Sequence, residues 1–378
     1  MSHVTVIGGG LAGLISAIEA AERGAKVDLF EARESLGGRA RSTDAPYIAD
    51  WGPHALYPPN LLWSWLEARQ LLPPTVKPQR RGYRVVDDGK LKVFSLRYAR
   101  AFLTIRGQAP VDVDFRTWAA AKAGQSVARA AASLLIAFTY DHDPGRLSAH
   151  FGLQRYRRVV APNLKVRYVV GGWRRLVESL ERKASSLGVT LHTGAHLRDL
   201  PDPPTIVATD PRNACLLVGE ISHTTTGRIA VLDVAIRTKR MLPTVVFGLD
   251  EPMVAVRHSS VDRSLVPQGE ELVEVATGFP PSETIEDAIR RMEAFLDASF
   301  KGWRERTTWR RALSSDAAAG AVDLPGHTWQ DRPSIDFGGG IFLAGDWVGA
   351  PGNLSDVACA SATEAARQAV AFASKLTM

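Results

Sequence analysis

The sequence predicts an α/β fold: a Rossmann-like domain, assembled from separated pieces of chain, that surrounds an inserted α+β domain of helices and a mixed antiparallel sheet. Three observations predict it. Gly8, Gly10 and Gly13 lie between an apolar strand run, Val4 to Ile7, and a helical run, Leu14 to Arg23. Later glycine turns, at Gly171–Gly172 and at Gly345, each adjoin a strand run and a helix. Between these returns, Arg228 to Thr238, Pro243 to His258 and Leu272 to Thr277 read as consecutive strands with no helical period.

The first motif explains its own residues. Gly8 permits a tight turn, Gly10 lets backbone approach a pyrophosphate, and Gly13 lets the helix pack close to the strand. The free N–H groups at the helix N-terminus then face the phosphates. Val27 to Phe30 reads as the second strand and ends in Glu31, whose carboxylate suits the hydroxyls of an adenosine ribose. An acid there favours a free 2′-hydroxyl over a 2′-phosphate. Glycines alone would fit a chance turn; strand, helix, strand and acid in order define a dinucleotide site without naming the dinucleotide. Gly37, Gly38, Arg39, Arg41 and Ser42 add a second glycine turn and two guanidinium groups suited to bidentate phosphate binding.

GGGLAGL, Glu31 and LGGRARS together resemble the N-terminal FAD signature of the flavin amine oxidase, protoporphyrinogen oxidase and phytoene desaturase superfamily. The resemblance implies non-covalent FAD, held from Gly8, Gly10, Leu11, Ala12, Gly13, Glu31, Ala32, Gly38, Arg39, Ala40 and Arg41. It also implies an FAD-binding domain of residues 1–75, 165–210 and 320–378, with a substrate-binding domain of residues 76–164 and 211–319.

Composition sets outer limits. A chain of 378 residues has room for two cores, and 45% hydrophobic with 23% charged residues is ordinary for a soluble globular protein. The net charge of +6 comes with no nucleic-acid module, so no nucleic-acid partner is expected; a solvated basic surface or an anionic membrane surface is the alternative. Cys215 and Cys359 have no metal spacing and form no disulfide framework, so no metal is expected. The strand starting at Val4 leaves no room for a signal peptide, and the apolar run Ala130 to Phe138 is too short to span a bilayer. The expectation is a cytoplasmic protein, peripheral to a membrane at most.

Taken in order, TDAPYIADWGPHALYPPN reads as a structured loop with a short strand at Tyr47 to Asp50. Asp50, Gly52, Pro53 and His54 resemble the superfamily's D-x-G-P segment, which passes close to the flavin ring, so His54 is the candidate catalytic residue; a histidine simply hydrogen-bonded within its loop is the alternative. Leu61 to Leu71 reads as an amphipathic helix, and Tyr83 to Phe94 as a hairpin turning at Asp87, Asp88 and Gly89. Residues 95–160 are helical by pattern, with Ala119 to Phe138 the clearest apolar segment. Tyr98, Phe102, Phe115, Trp118, Phe138, Tyr140, Phe151 and Tyr156 divide between core and the wall of a pocket for an oily substrate.

YVVGGWRRLVESLERKASSLGVTLHTGAHLRDL resembles the superfamily's second fingerprint, with a helix from Trp173 to Leu187 and a strand from Val189 to His192. The resemblance places adenine against the backbone at Ala195 to Leu197, including His196 and Leu197. A hairpin common in relatives is missing, since the chain goes almost directly to a strand at Thr205 to Ala208; Asp210, Pro211 and Arg212 then mark the crossing back. The segment RHSSVDRSLVPQGEEL is similar to phytoene desaturase relatives and favours that branch. Ile285 to Phe300 reads as a helix, with Trp303, Trp309 and Arg310 leading out. The C-terminal strand Ile341 to Ala344, then Gly345, Asp346 and a final helix starting near Val357 behind a Ser355–Asp356 cap, resemble the superfamily's closing FAD motif, with Asn353 and Leu354 at its loop.

The expected chemistry is hydride removal from a small lipophilic substrate by a desaturase, dehydrogenase or oxidase. This chemistry relies on proximity and flavin electronics more than on an acid and base. A flavin amine or amino-acid oxidase is the alternative and would need a cage or a carboxylate-binding arginine, with Arg97, Arg100, Arg257 and Arg310 as candidates. A nonenzymatic escort-type protein on the same fold is less consistent with the retained Glu31, Arg39 and Asp346.

Overall fold

The computed structural model describes residues 2–78, 82–161, 165–221, 225–238, 241–316 and 320–376. The chain opens with β1 (His3–Ile7), α1 (Leu11–Glu22) and β2 (Lys26–Phe30). The two strands are parallel, from His3 beside Lys26 to Ile7 beside Phe30. The helix begins at Leu11, earlier than its apolar pattern indicates, because the glycine turn itself delivers the first turn of helix. Next come α2 (Leu61–Ala68), capped by the Asn60 side chain on the Trp63 N–H at 3.0 Å, and β3 (Thr75–Val76).

The hairpin of β4 (Tyr83–Asp87) and β5 (Lys90–Lys92) turns through Asp88 and Gly89, both left-handed at φ 53° and 66°. Five helices follow: α3 (Leu96–Thr104), α4 (Phe115–Ala123), α5 (Gln125–Leu134), α6 (Ile136–Thr139) and α7 (Ala149–Val160). The apolar segment 119–138 is therefore divided, because Gly124 at φ 84° stops one helix and starts the next.

The chain then forms β6 (Tyr168–Val169), α8 (Arg174–Ser186), β7 (Thr190–His192), β8 (Thr205–Val207) and α9 (Pro211–Val218). Asp210 caps α9, and Ala214 of that helix packs with Ile7, Val207 and Leu343, so the chain stays on the first sheet for one further helix instead of crossing at Asp210. The second sheet grows from β9 (Ile229–Arg237), β10 (Val245–Gly248), β11 (Met253–Val256) and β12 (Glu270–Gly278). Then come α10 (Ile285–Ser299), β13 (Thr307–Ser315), β14 (Asp336–Gly338), β15 (Ile341–Leu343) and α11 (Ser355–Leu376).

Two large sheets result. One has the order β14-β15-β8-β1-β2-β7, parallel except for β14; the other has the order β13-β9-β12-β11-β10-β4-β5. In β9, Ala230, Leu232, Val234 and Ile236 face the core under α10, so the alternate residues, including Ile229, Val231 and Asp233, face the other way, towards the cavity described below.

Three local expectations are corrected. Tyr47 to Asp50 is not a strand; only a single bridge joins Ser42 and Asp50. Trp309 and Arg310 lie within the edge strand β13, whose pairing with β9 overrides its weak apolar signal. Finally, α11 starts at Ser355, and the Asp356 carboxylate accepts the Leu62 N–H at 3.2 Å instead of capping its own helix.

Candidate functional site

The glycine turn is shaped by contacts that only glycine satisfies. A Cβ on Gly13 would fall far inside contact distance of the Gly8 carbonyl oxygen, so α1 lies directly on the turn. Gly8 is left-handed at φ 107°, and its Cβ would meet the Ala208 carbonyl oxygen at 2.6 Å. Gly10 differs: its nearest neighbour would be the Gly38 Cα at 4.0 Å, so open space lies over the start of the helix. That helix end has no side-chain cap, leaving the N–H groups of Leu11, Ala12 and Gly13 for an anion.

Around this opening the predicted residues gather. Glu31 accepts the Gly9 N–H at 2.7 Å and the Arg33 N–H at 2.9 Å, which fixes its carboxylate at the end of β2. The Ala195 N–H donates to the Glu31 carbonyl at 2.9 Å, placing the adjoining His196 and Leu197 beside that acid; His196 is exposed, as is Ala32. Arg41 lies 4.2 Å from the Trp51 ring centroid and donates through Nε to the Gly38 carbonyl at 3.0 Å, yet its buried Nη2 has no partner among the described residues. An orphan guanidinium N–H beside an uncapped helix end suits a pyrophosphate.

Arg39 ties the first motif to the last, with Nη2 at 2.6 Å from the Asp346 Oδ1. Burial alone would lower the Arg39 pKa; the Asp346 carboxylate outweighs it and the net shift is upward. Gly345 is clamped by Ser361, whose Oγ lies 3.0 Å from both its N–H and its carbonyl. Asn353 accepts from Arg155 Nε at 3.1 Å, and Leu354 takes a left-handed φ of 50° just before α11. Ala40 is buried in the first core.

Gly52 is left-handed at φ 133°, and its carbonyl lies 2.6 Å from the His54 Nδ1. A carbonyl can only accept, so Nδ1 carries the proton and Nε2 is an acceptor. Burial pushes the His54 pKa down, keeping the ring neutral, and it lies 4.8 Å from the Trp173 ring.

Pro53 and Ala55, on either side of His54, reach an apolar cavity of about 500 Å³ between the second sheet and helices α3, α5 and α6. Of the aromatics singled out by sequence, Tyr98, Phe102, Phe138 and Tyr140 line it, while Phe115, Trp118, Phe151 and Tyr156 pack in cores. Tyr57, Tyr83 and Tyr168 line it too and were missed, since each sits alone in its segment. Burial pushes the Tyr57 phenol up to about 12 and those of Tyr140 and Tyr168 well above their usual value.

Three of the four candidate arginines are otherwise engaged. Arg97 pairs with Asp87 and Asp250, Arg257 with Glu271, and Arg310 with Glu293, while Arg100 is exposed on α3. Sequence reasoning also missed Asp233 and Glu274, two buried acids; Asp233 is the lone acid of an apolar strand, whereas Glu274 shares its strand with Glu270 and Glu271.

The fold and site define a chain with a Rossmann-like domain and a second, cavity-bearing sheet. Residues 6–68 match the family model for an NAD(P)-binding Rossmann-like domain. Among curated proteins, the chain is 42% identical over 64 residues to the 4,4'-diapolycopen-4-al dehydrogenase of Metabacillus indicus, which is 17% of this chain and 13% of that protein. The chain therefore matches only about an eighth of that relative's length. Whole-chain similarity is structural. An oxidoreductase from Methanosarcina mazei superposes with a TM-score of 0.76 at 15% identity, covering 96% of this chain and 99% of the other. A double mutant of putrescine oxidase gives 0.77 at 16%, covering 98% and 99%. Cyclohexylamine oxidase from Brevibacterium oxydans gives 0.72 at 13%, covering all of both chains. The fold expected from the three glycine motifs is the fold observed.

Proposed function

We propose that the protein is an FAD-dependent oxidoreductase that removes a hydride from a small lipophilic substrate, with FAD bound non-covalently. The observation that carries this reading is the Arg39–Asp346 ion pair at 2.6 Å. It closes the first and last motifs around the open helix end of α1, next to a segment that also borders the apolar cavity. In this reading residues 1–75, 165–218 and 320–378 form the FAD domain, and residues 76–164 and 219–319 the substrate domain, the boundary moving from 210 to 218 because α9 stays on the first sheet.

The chain's own residues divide the work. Glu31 binds the ribose hydroxyls, while the α1 N–H groups and Arg41 Nη2 bind pyrophosphate. The Arg39–Asp346 pair orients what lies between them. When bound, FAD supplies a two-electron acceptor. Neutral tyrosines and aliphatic side chains around the cavity exclude water and align an oily substrate. His54 is the catalytic candidate, presenting Nε2 as an acceptor, and with its pKa lowered it carries no charge at neutral pH.

A lipophilic substrate fits better than an amino acid, because Arg97, Arg257 and Arg310 are held by acids. An amine is the second reading; the buried tyrosines favour it, and both putrescine oxidase and cyclohexylamine oxidase have this fold. Peripheral contact with an anionic membrane belongs to the same proposal. Val93, Phe94, Leu96 and Leu103 are 76%, 61%, 78% and 63% exposed; Val93, Phe94 and Leu103 also line the cavity, and exposed Lys90, Arg100 and Arg106 lie close by in sequence. Among the described residues no helix is long and apolar enough to cross a membrane.

The test is a flavin absorbance spectrum of the purified protein, followed by anaerobic bleaching with alkenes, terpenoids, amines and amino acids. Bleaching by a lipophilic alkene is expected. A protein that never binds FAD would overturn the proposal, and bleaching by amines alone would transfer it to the second reading.

A further inference from the structure

A row of charged residues crosses the second sheet beneath segment 50–54. Glu274 is paired across strands with Val256 on one side and Asp233 on the other, and Asp233 is paired with Arg311. Asp233 is fully buried and Glu274 nearly so. Arg311 donates to the Asp233 Oδ2 from Nε at 2.8 Å and from Nη2 at 2.6 Å, and Nη2 also donates to the Asp50 carbonyl. The Asp50 carboxylate is in turn held by the Ser42 hydroxyl at 2.5 Å and the Trp173 N–H at 2.9 Å. Arg311 thus straps the segment leading to Gly52, Pro53 and His54 onto the sheet.

The hydrogen bonds of this row do not balance as written. Among the described residues, Asp233 Oδ1 and both Glu274 oxygens are buried acceptors without a donor, Arg311 Nη1 is a buried donor without an acceptor, and His258 Nε2 has no partner either. The two carboxyl groups stand directly opposite each other on neighbouring strands, where paired Cβ atoms are about 4.5–5.5 Å apart, and two carboxylates have only acceptors to offer. One guanidinium balances one buried carboxylate, and the second must be neutral. His258 supplies no second charge; its Nε2 is 4.0 Å from Glu274 Oε1 and burial pushes its pKa down to about 4.

We propose that Asp233 and Glu274 hold one shared proton, and that the protonated pair, acting through Arg311, is the positioning device for segment 50–54. The remaining groups facing it leave its charge unrelieved: Asp50 adds negative potential, His54 is neutral, and Tyr140 and Tyr168 are neutral phenols, while Asp262 faces His258. Burial, followed by the Asp233 charge, pushes Glu274 well above the usual carboxylate range; burial also pushes Asp233 up to about 6. As pH rises through the titration of the pair, a second buried negative charge appears, competes for Arg311 and loosens its hold on Asp50. The sign follows from raised pKa values: stability is full below the unfolded carboxylate values and falls as pH climbs through the folded ones.

The first measurement uses flavin-free protein and infrared difference spectra between wild type and Glu274→Gln at neutral pH. A carboxylic-acid carbonyl band that shifts in D2O and is missing in the variant is expected. Titration of the same band in wild type alone removes any dependence on the variant folding. Absence of a protonated carboxyl band overturns the proposal. The second measurement is FAD affinity from about pH 6 to about pH 9; wild type loses about tenfold per pH unit above the titration of the pair, and Glu274→Gln stays flat. Parallel profiles would also overturn it. Only this second arm rests on the proposed function. A protein that binds no FAD at any pH refutes that function, and the infrared result still decides the shared proton.

Discussion

Alanine in place of Gly10 and alanine in place of Gly13 separate binding from folding within one motif. Gly10 has φ −76° and ψ −173°, which any residue adopts, and its added methyl would meet nothing nearer than the Gly38 Cα at 4.0 Å. Stiffening the unfolded chain stabilises by about 0.4–1 kcal/mol, and alanine is a poorer N-cap than glycine by a comparable amount, about 0.5–1 kcal/mol. The two effects nearly cancel, so thermal unfolding of Gly10→Ala stays close to wild type. Its methyl nevertheless occupies the space over the uncapped helix end. FAD affinity is therefore expected to fall at least about tenfold, or about 1.4 kcal/mol.

Gly13 gives the opposite balance. Helix propensity favours alanine by about 1 kcal/mol, but overpacking costs about 1–3 kcal/mol or more. The cost is at the upper end here because the clashing atom is the Gly8 carbonyl, and Gly8 is fixed by its N–H on the Phe30 carbonyl at 2.7 Å. Gly13→Ala should thus lose both FAD affinity and melting temperature. Fluorescence titration with FAD and thermal denaturation of both variants read the two effects. A Gly10→Ala protein that binds FAD as tightly as wild type would refute the assignment of this opening to the pyrophosphate.

Two further outcomes follow from the cavity and its mouth. Wild-type protein should co-sediment with anionic vesicles and less with zwitterionic ones, and Phe94→Ser with Leu96→Ser should lower vesicle binding by about tenfold or more, given about 1.5–3 kcal/mol for each large apolar side chain buried; equal sedimentation of variant and wild type would remove the membrane contact. In a spectrophotometric alkaline titration, Tyr57, Tyr140 and Tyr168 should stay un-ionised past the usual tyrosine value. Their raised pKa values mean stability is full below about pH 10 and is lost as pH climbs towards about 12, so phenolate absorbance and unfolding should rise together.

What was legible in the sequence was legible for local reasons. Gly8 is required by its left-handed φ and Gly13 by the backbone of Gly8 five residues earlier, and Glu31 follows its strand at a fixed distance, so spacing alone disclosed them. The helix read as Ile285 to Phe300 was likewise recoverable from its period, and the structure ends it at Ser299. Local pattern failed where a partner elsewhere decided the outcome. Asp356 looked like a helix cap until α2 claimed its carboxylate, and β13 needed β9 beside it to be a strand.

The sequence by itself therefore determined the glycine turn with its flanking strand and helix, because glycine conformations, helix starts and strand ends are properties of short stretches. The tertiary structure decided the rest. It alone brought Arg39 to Asp346, collected Tyr57, Tyr83, Tyr140 and Tyr168 around one cavity, and set Asp233 beside Glu274 under a single arginine. Burial, and the charges that burial forces together, depend on which strands become neighbours.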